Sequence, residues 1–255
     1  MTWLENVILS VVEGITEFLP VSSTGHLMLT REWLGMKPDE NSTFIIAIQF
    51  GAILSVLSLY WKRITGPGIK HLYPILFVGF LPAAVFGLLF DDLLDQLLQA
   101  PWIAGINLVV FGIVLIYIER IFPEGDKEID DLSFQDSVKI GLFQCLAIIL
   151  PGVSRSASGI AGGLYRKLSR KAATEFTFLL ALPTLSAAAG YKLLKDIDKL
   201  NSQQLIEIGW GSLFSFITAF VAVKFFVGYV QKFGFKLFGY YRILIGTVFL
   251  IWYYS

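Results

Sequence analysis

Charge is scarce in this chain of 255 residues. Charged residues make up 16% of it and balance each other, with 20 Lys and Arg against 20 Asp and Glu. The lack of a basic excess excludes a nucleic-acid binder, and an apolar share of 55% excludes a disordered chain. A single cysteine, Cys145, excludes an intrachain disulfide framework and a multi-cysteine metal site. Two histidines are too few for a histidine zinc cluster.

Long apolar runs are present instead. The mean hydropathy is +0.68, whereas a soluble surface needs about 25–35% charged residues. We therefore predict an all-α integral membrane protein, because the runs lack the alternation of a lipid-facing strand. Six runs are long enough for a hydrocarbon core of about 30 Å, which takes about 20 residues. They are residues 43–61, 72–90, 102–121, 172–194, 206–227 and 240–254.

Two further apolar stretches are interrupted. The first, residues 4–19, carries three glutamates and ends at Pro20, and the second, residues 134–150, ends at Pro151. A hydroxyl-rich turn and another short apolar segment follow each of them. A helix, a break and a helix at membrane depth predict a re-entrant hairpin, whose backbone must be buried in protein or line a wet cavity.

The two halves of the chain resemble each other. A shift of 131 residues places Leu19 and Pro20 on Leu150 and Pro151, Glu13 on Gln144, and Ser23 on Ser154. We predict one membrane domain of two copies, about residues 1–121 and 132–255, each a hairpin plus three spans. Because three is odd, the second copy enters the membrane upside down, as in the inverted repeats of many transporters. Chance similarity between apolar segments is the alternative.

Basic residues are distributed unevenly between the two faces. Thirteen, Arg242 among them, fall on the face of the loops 62–71, 121–139, 157–171 and 228–242, and five fall on the other face. Positive charge marks the cytoplasmic side, so we predict both termini outside. The first hairpin then enters from outside and the second from the cytoplasm. Their tips can meet inside the bilayer.

The first hairpin concentrates ionisable and hydroxyl groups at a depth where a charge costs about 2.5–3.5 kcal/mol. Glu13 and Glu17 are four residues apart and share one helix face. Such a pair can serve as a base or hold a divalent cation, Mg²⁺ or Ca²⁺. Beyond Pro20 follow Ser22, Ser23, Thr24 and His26. The plainer interpretation is that these hydroxyls cap a helix that starts near Thr24, with His26 at a wet interface.

The second tip combines Gly152, Ser154, Arg155 and Ser156. Gly152 permits a turn whose successive N–H groups form an anion nest, and a helix that begins near Ser156 adds the positive end of its dipole. Arg155 offers phosphate oxygens a planar fork of donors. Alternatively, Arg155 only neutralises a buried glutamate. Facing tips would suit phosphoryl transfer, in which positioning and charge stabilisation do most of the work.

At these residues the chain resembles the undecaprenyl-diphosphate phosphatase family of the bacitracin-resistance type. The similarity covers residues 13–26 and 151–156 and extends to residues 44–51 and 175–183. The resemblance implies an enzyme of the cytoplasmic membrane that removes the terminal phosphate of a C55 polyprenyl diphosphate and recycles this lipid carrier for cell-wall synthesis. It also implies an outward-opening site and a divalent cation. A homodimer is left open.

The resemblance also implies roles for individual residues. The acidic motif maps onto Glu13 and Glu17, the serine–histidine stretch onto Ser22, Ser23, Thr24 and His26, and the arginine loop onto Ser154, Arg155 and Ser156. The chain departs from the family at Gly159, where a threonine is usual. Ser158, one place earlier, is the candidate replacement.

We expect Glu17 to accept a proton from Ser23, which attacks the terminal phosphorus, while Arg155 and the N–H groups of residues 154–156 hold the oxygens. Glu13 binds the cation or tunes Glu17, and His26 is either a competing nucleophile or the acid for the leaving oxygen. The expected phosphate-binding residues are Ser22, Thr24, Gly152, Ser154 and Ser156. The main rival is an inverted-repeat secondary transporter or a polyprenyl-phosphate flippase.

Overall fold

Helices dominate the fold. The computed structural model describes residues 2–36, 42–66, 69–90, 96–196 and 200–255. In chain order its helices are α1 (Trp3–Thr16), α2 (Ser23–Trp33), α3 (Ser42–Leu59), α4 (Trp61–Thr65), α5 (Ile69–Leu89), α6 (Pro101–Ile121), α7 (Phe134–Ile149), α8 (Arg155–Tyr165), α9 (Arg170–Asp196), α10 (Ser202–Phe233) and α11 (Lys236–Tyr254). A short 3₁₀ turn, Ile129–Asp131, precedes α7. No β-strand occurs within these ranges.

Among the described residues, five helices are long and apolar enough to cross a membrane: α5, α6, α9, α10 and α11. The predicted run 43–61 corresponds to α3, a shorter apolar helix that ends at Leu59. The predicted run 206–227 is extended in both directions, since α10 covers Ser202–Phe233. The prediction of an all-α integral membrane protein is confirmed.

Both interrupted stretches form helical hairpins, α1–α2 and α7–α8. The first helix of each hairpin starts with a capping box, built by Thr2 in α1 and by Ser133 in α7. The second helix of each has 11 residues and a serine N-cap, Ser22 or Ser154. These two serines have φ angles of 73° and 79°, which strain a residue that carries a Cβ. The two tips are therefore built alike.

The structure corrects the predicted match between the tips. The first helices align at the predicted offset, because Thr2 corresponds to Ser133. The second helices align one residue later, because Ser22 corresponds to Ser154. Ser23 therefore corresponds to Arg155 and not to Ser154. The second tip has two residues between its proline and its N-cap serine, where the first tip has one. The additional residue lies in a turn that begins at Gly152, whose φ is 92°.

Each hairpin packs against a long helix from the other half of the sequence: α1 lies along α10, and α7 lies along α5. Glycines permit both contacts. A Cβ on Gly14 would collide with the carbonyl oxygen of Ser215 in α10, and a Cβ on Gly141 would collide with that of Gly79 in α5. Small residues allow such close approach between helices in lipid. An inverted repeat requires this reciprocal packing, although the division into two copies stays a prediction.

The charge count placed Arg242 in the loop 228–242, but Arg242 lies in a helix. Helix α11 packs along α6 and spans Lys236–Tyr254, so Arg242 is a helical residue, as the predicted run 240–254 implies. Its side chain is completely buried. Gly112 of α6 gives it room, since a Cβ there would lie 3.1 Å from the Cβ of Arg242. The guanidinium thus belongs to the interior of the protein.

Candidate active site

The two hairpin tips meet in the interior of the protein. Ser156 donates from Oγ to the carbonyl oxygen of Phe18 at 2.6 Å. Arg155 Nη2 lies 3.2 Å from Glu17 Oε1, and the guanidinium lies 5.8 Å from the centroid of the Phe18 ring. A hydrogen bond, an ion pair and a cation–π contact therefore join α8 to the end of α1.

A cavity lies between the tips. Seven residues proposed from the sequence line it: Glu17, Ser22, Ser23, Thr24, Gly152, Ser154 and Arg155. Gln49, Ala147 and Leu185 complete the lining. Gln49 is absent from the predicted site, although an amide within the apolar run 43–61 is a recognisable signal.

Glu17 connects the two sides of this cavity. Its Oε2 accepts a short hydrogen bond from the hydroxyl of Ser23, while its Oε1 faces Arg155. Glu17 is 6% exposed, so water screens these interactions weakly. A carboxylate that holds the proton of a serine hydroxyl has the geometry of a base beside its nucleophile.

Glu13 lies one helical turn before Glu17, outside the cavity lining and fully buried. Neither carboxylate oxygen of Glu13 meets hydrogen-bond geometry with a described residue, although its carboxyl group is close enough to that of Glu17 to share a proton and to Arg155 to feel its charge. A buried carboxylate without a partner is costly. No three His, Cys, Asp or Glu side chains converge on a metal site within the described ranges. Mg²⁺ needs only one or two carboxylates, however, when phosphate oxygens and water complete its shell.

His26 also lies outside the cavity lining, and both of its ring nitrogens have partners. Nδ1 lies 2.8 Å from the carbonyl oxygen of Ser22, which only accepts, so Nδ1 carries the proton. In the neutral ring, Nε2 then accepts from the hydroxyl of Tyr241 at 2.9 Å. The ring of Tyr241 stacks on the imidazole at 5.5 Å between centroids. Nothing in the sequence connects Tyr241 with His26.

The position that departs from the family pattern is filled from another helix. A Cβ on Gly159 would lie 2.8 Å from Oγ1 of Thr177 in α9. The carbonyl oxygen of Thr177 accepts from Arg155 Nη1 at 3.4 Å. Ser158, the candidate replacement, is buried and outside the cavity lining, and so is Ser156. The side chain of Thr177 therefore occupies the space beside Gly159, while its hydroxyl donates to the carbonyl oxygen of Ala173 in its own helix.

Two residues that hold the tips are absent from the predicted site. Asn107 of α6 donates from Nδ2 to the carbonyl oxygen of Pro151 at 2.7 Å. Arg242 of α11 donates to carbonyl oxygens of both tips, among them that of Pro20 at 3.0 Å. Both are polar residues within apolar runs, and that is the only signal the sequence offers for them.

The fold and this cavity define a multi-pass membrane protein with a buried acid, hydroxyl and guanidinium centre. The chain belongs to the family of bacitracin resistance protein BacA, which it matches over residues 6–248. It is 43% identical to an undecaprenyl-diphosphatase of Bdellovibrio bacteriovorus, over 100% of this chain and 97% of that protein. Undecaprenyl-diphosphatases of Porphyromonas gingivalis and Flavobacterium psychrophilum are 41% and 42% identical, each over 98% of this chain and 96% of the relative. The predicted family is confirmed.

Proposed function

We propose that this chain is a phosphatase that hydrolyses undecaprenyl diphosphate to undecaprenyl phosphate and inorganic phosphate. Its family and the names of its relatives support this activity. The observation that carries the proposal is the position of Glu17, which contacts a serine hydroxyl on one side and a guanidinium on the other. A base, a nucleophile and an anion-binding group are thereby adjacent, as phosphoryl transfer requires.

In the first step, Ser23 is the nucleophile. Its hydroxyl proton passes to Glu17 Oε2 along their hydrogen bond, and Oγ forms a bond to the terminal phosphorus. The bond from that phosphorus to the bridging oxygen breaks, and its electron pair leaves with undecaprenyl phosphate. The products are a phosphoserine at position 23 and a protonated Glu17.

In the second step, water attacks the phosphorus of the phosphoserine. The bond between phosphorus and Oγ breaks, Glu17 returns its proton to Oγ, and both protons of the attacking water stay with the inorganic phosphate. Serine and carboxylate are restored. His26 takes no proton in this scheme, because its two ring nitrogens already bind Ser22 and Tyr241.

Arg155 holds the oxygens of the terminal phosphate. Its side chain is 13% exposed, and it lines the cavity together with Ser22, Thr24, Gly152 and Ser154. Charge that develops on the equatorial oxygens is stabilised best by donors already in place. Nη2 of the planar guanidinium holds Glu17 and Nη1 holds the carbonyl oxygen of Thr177. The remaining N–H groups of the same fork can donate to phosphate oxygens, which a single ammonium group cannot match.

Glu13 and Glu17 would hold a divalent cation, Mg²⁺ or Ca²⁺, together with oxygens of the substrate. The buried carboxylate of Glu13 supports this assignment, since none of the described residues donates to it. Two carboxylates and phosphate oxygens match the shell that Mg²⁺ adopts at phosphate sites. A bound cation would supply positive charge to the diphosphate.

We also propose that the protein lies in the cytoplasmic membrane with both termini and the mouth of the cavity on the outer side. The uneven distribution of Lys and Arg supports this orientation, even without the buried Arg242. The polyprenyl tail would lie along the apolar helices, in lipid or between spans.

The test is release of inorganic phosphate from undecaprenyl diphosphate by the purified protein in detergent. A phosphatase needs no gradient, whereas a transporter or flippase needs two compartments and yields no phosphate. We expect Glu17→Gln to insert normally and to lose about 10²–10⁴-fold in kcat, since it lacks the base. Glu207→Gln, on the exposed end of α10, is the matched control and keeps full activity. No phosphate from the wild-type protein, or an active Glu17→Gln, contradicts the proposal.

A further inference from the structure

Arg242 joins the two hairpin tips through main-chain carbonyl oxygens. Its Nη1 donates to Pro20 of the first tip at 3.0 Å and to Val153 of the second tip at 2.9 Å. Its Nη2 donates to Gly152 at 2.7 Å and to Asn107 of α6 at 3.4 Å. One planar guanidinium thus holds both tips and α6 at once.

The energetics of this arrangement are unusual. Arg242 is 0% exposed, and no carboxylate forms an ion pair with it within the described ranges. Its Nε has no hydrogen-bond partner there either. A buried charge that is compensated only by carbonyl dipoles is costly. The packing of α11 against α6 does not require a buried arginine. We therefore attribute the buried guanidinium to a requirement of the active site.

The bond to Val153 fixes the orientation of the next N–H. In a planar trans peptide, the C=O and the N–H point in opposite directions. The carbonyl oxygen of Val153 faces Arg242, so the N–H of Ser154 faces away from it. No described carbonyl accepts from the N–H of Ser154, and Ser154 lines the cavity. Its positive φ of 79° is a strained conformation that needs support from its surroundings.

We propose that Arg242 is a positioning residue for phosphoryl transfer. Through the tip carbonyls it sets the first tip against the second and turns the N–H of Ser154 into the cavity, where this N–H donates to the phosphoryl group in transfer. The inference rests on the proposed function. Arg242 itself touches no reacting atom, since it lies behind the tips and outside the cavity lining.

The experiment compares Arg242→Lys with wild type. Lysine keeps the charge and most of the volume but lacks the planar fork that reaches four carbonyls. We expect kcat to fall about 10²-fold, as for one lost oxyanion donor, while KM changes less than about threefold. The matched control, Arg120→Lys, changes an exposed arginine at the end of α6 and leaves kcat and KM as they are.

Vanadate and phosphate binding separate positioning from folding. Vanadate mimics the five-coordinate phosphorus of the transfer step. The affinity of Arg242→Lys for vanadate should therefore fall about 10²-fold, whereas its affinity for inorganic phosphate should fall less than about threefold. Both are measured as ligand-induced thermal stabilisation in detergent, which requires no turnover. Failure of phosphate release by the wild type would therefore overturn the proposed function without deciding the role of Arg242.

Two results overturn the inference. One is an Arg242→Lys protein whose folded fraction has the wild-type kcat and vanadate affinity, because Arg242 would then serve folding alone. If this variant does not fold, Asn107→Leu tests the same brace, since it removes the hydrogen bond to Pro151. We expect Asn107→Leu to lower kcat and the affinity for vanadate together, at an unchanged KM. Wild-type values of kcat and of vanadate affinity in this variant would also overturn the inference.

Discussion

The guanidinium of Arg155 lies 3.2 Å from the carboxylate of Glu17, although 138 positions separate these residues in the chain. The contact joins the start of α8 to the residue that caps the end of α1. It places the anion-binding group of one hairpin beside the base of the other. The proposed reaction depends on the short distance between these two groups.

Arg155→Lys tests the need for a planar fork. Arg155 uses Nη2 for Glu17 and Nη1 for the carbonyl oxygen of Thr177, and a lysine nitrogen cannot make both contacts in one plane. We expect kcat/KM to fall about 10²–10³-fold at an unchanged melting temperature. Phosphate release with Arg120→Lys as control gives the comparison, and near-normal turnover of Arg155→Lys would count against the scheme.

The identity of the nucleophile can be read from a trapped intermediate. We expect rapid acid quenching during turnover, followed by peptide mapping, to yield a phosphorylated peptide that carries the phosphate on Ser23. The hydroxyl of Ser23 faces its base, whereas His26 is held by Ser22 and Tyr241. Tyr241→Phe leaves the trapped amount unchanged in this scheme. A phosphate on His26, recovered after an alkaline quench and lost after an acid quench, contradicts the assignment.

Much of the site could be predicted from sequence because its chemistry is local. Glu13, Glu17 and the hydroxyls beyond Pro20 stand out against an apolar background, and a proline lies in the turn of each hairpin. The tip register could not be predicted, since the extra residue after Pro151 leaves no mark on composition.

The bracing residues could not be predicted either. Arg242 and Tyr241 belong to a helix that reaches the tips only in the folded bundle, with His26 and Tyr241 215 positions apart. Arg242 belongs both to the predicted run 240–254 and to the loop 228–242 of the charge count, and its burial could not be predicted because burial depends on packing that periodicity does not reveal. The side chain of Thr177 fills the space beside Gly159, and this contact could not be predicted either, because it depends on how α9 packs and not on the local pattern.

Glu13→Gln tests the cation. An amide keeps the shape of the side chain but offers one neutral oxygen in place of a charged pair, so the affinity for Mg²⁺ should fall about 10–100-fold. We expect phosphate release to recover at high Mg²⁺, with kcat close to that of the wild type, and to be abolished by a chelator. Glu207→Gln is the matched control. The same Mg²⁺ dependence in both variants would exclude Glu13 as a ligand.

Asp136 anchors the base of the second hairpin and gives it a pH dependence. It lies in the first turn of α7 and accepts from Ser133 and from Arg166, the latter at 2.5 Å. Burial alone would raise the pKa of Asp136, but the hydrogen bonds from Ser133 and Arg166 outweigh it and hold the pKa below its usual value. The folded state therefore gains stability above the unfolded pKa of about 3.9 and loses it as pH falls through the lower folded value.

We expect Asp136→Asn to lower the free energy of unfolding at pH 7 by about 1.5–3 kcal/mol, with a smaller loss near pH 3. Thermal unfolding in detergent at both pH values measures this difference. Asp130→Asn is the control, because Asp130 pairs with Arg63 on the exposed surface, where an ion pair is worth about 0–1 kcal/mol. Equal effects of the two substitutions would contradict the anchoring role.

The most direct measurement is a double-mutant cycle across the two tips, with Ser23→Ala in one, Arg155→Lys in the other, and kcat/KM for phosphate release as the observable. Groups that act as one unit on one step are strongly non-additive. We expect the double variant to be about as slow as the slower single variant. Losses that multiply would mean that the two tips act independently, and the account of a single site between them would fail.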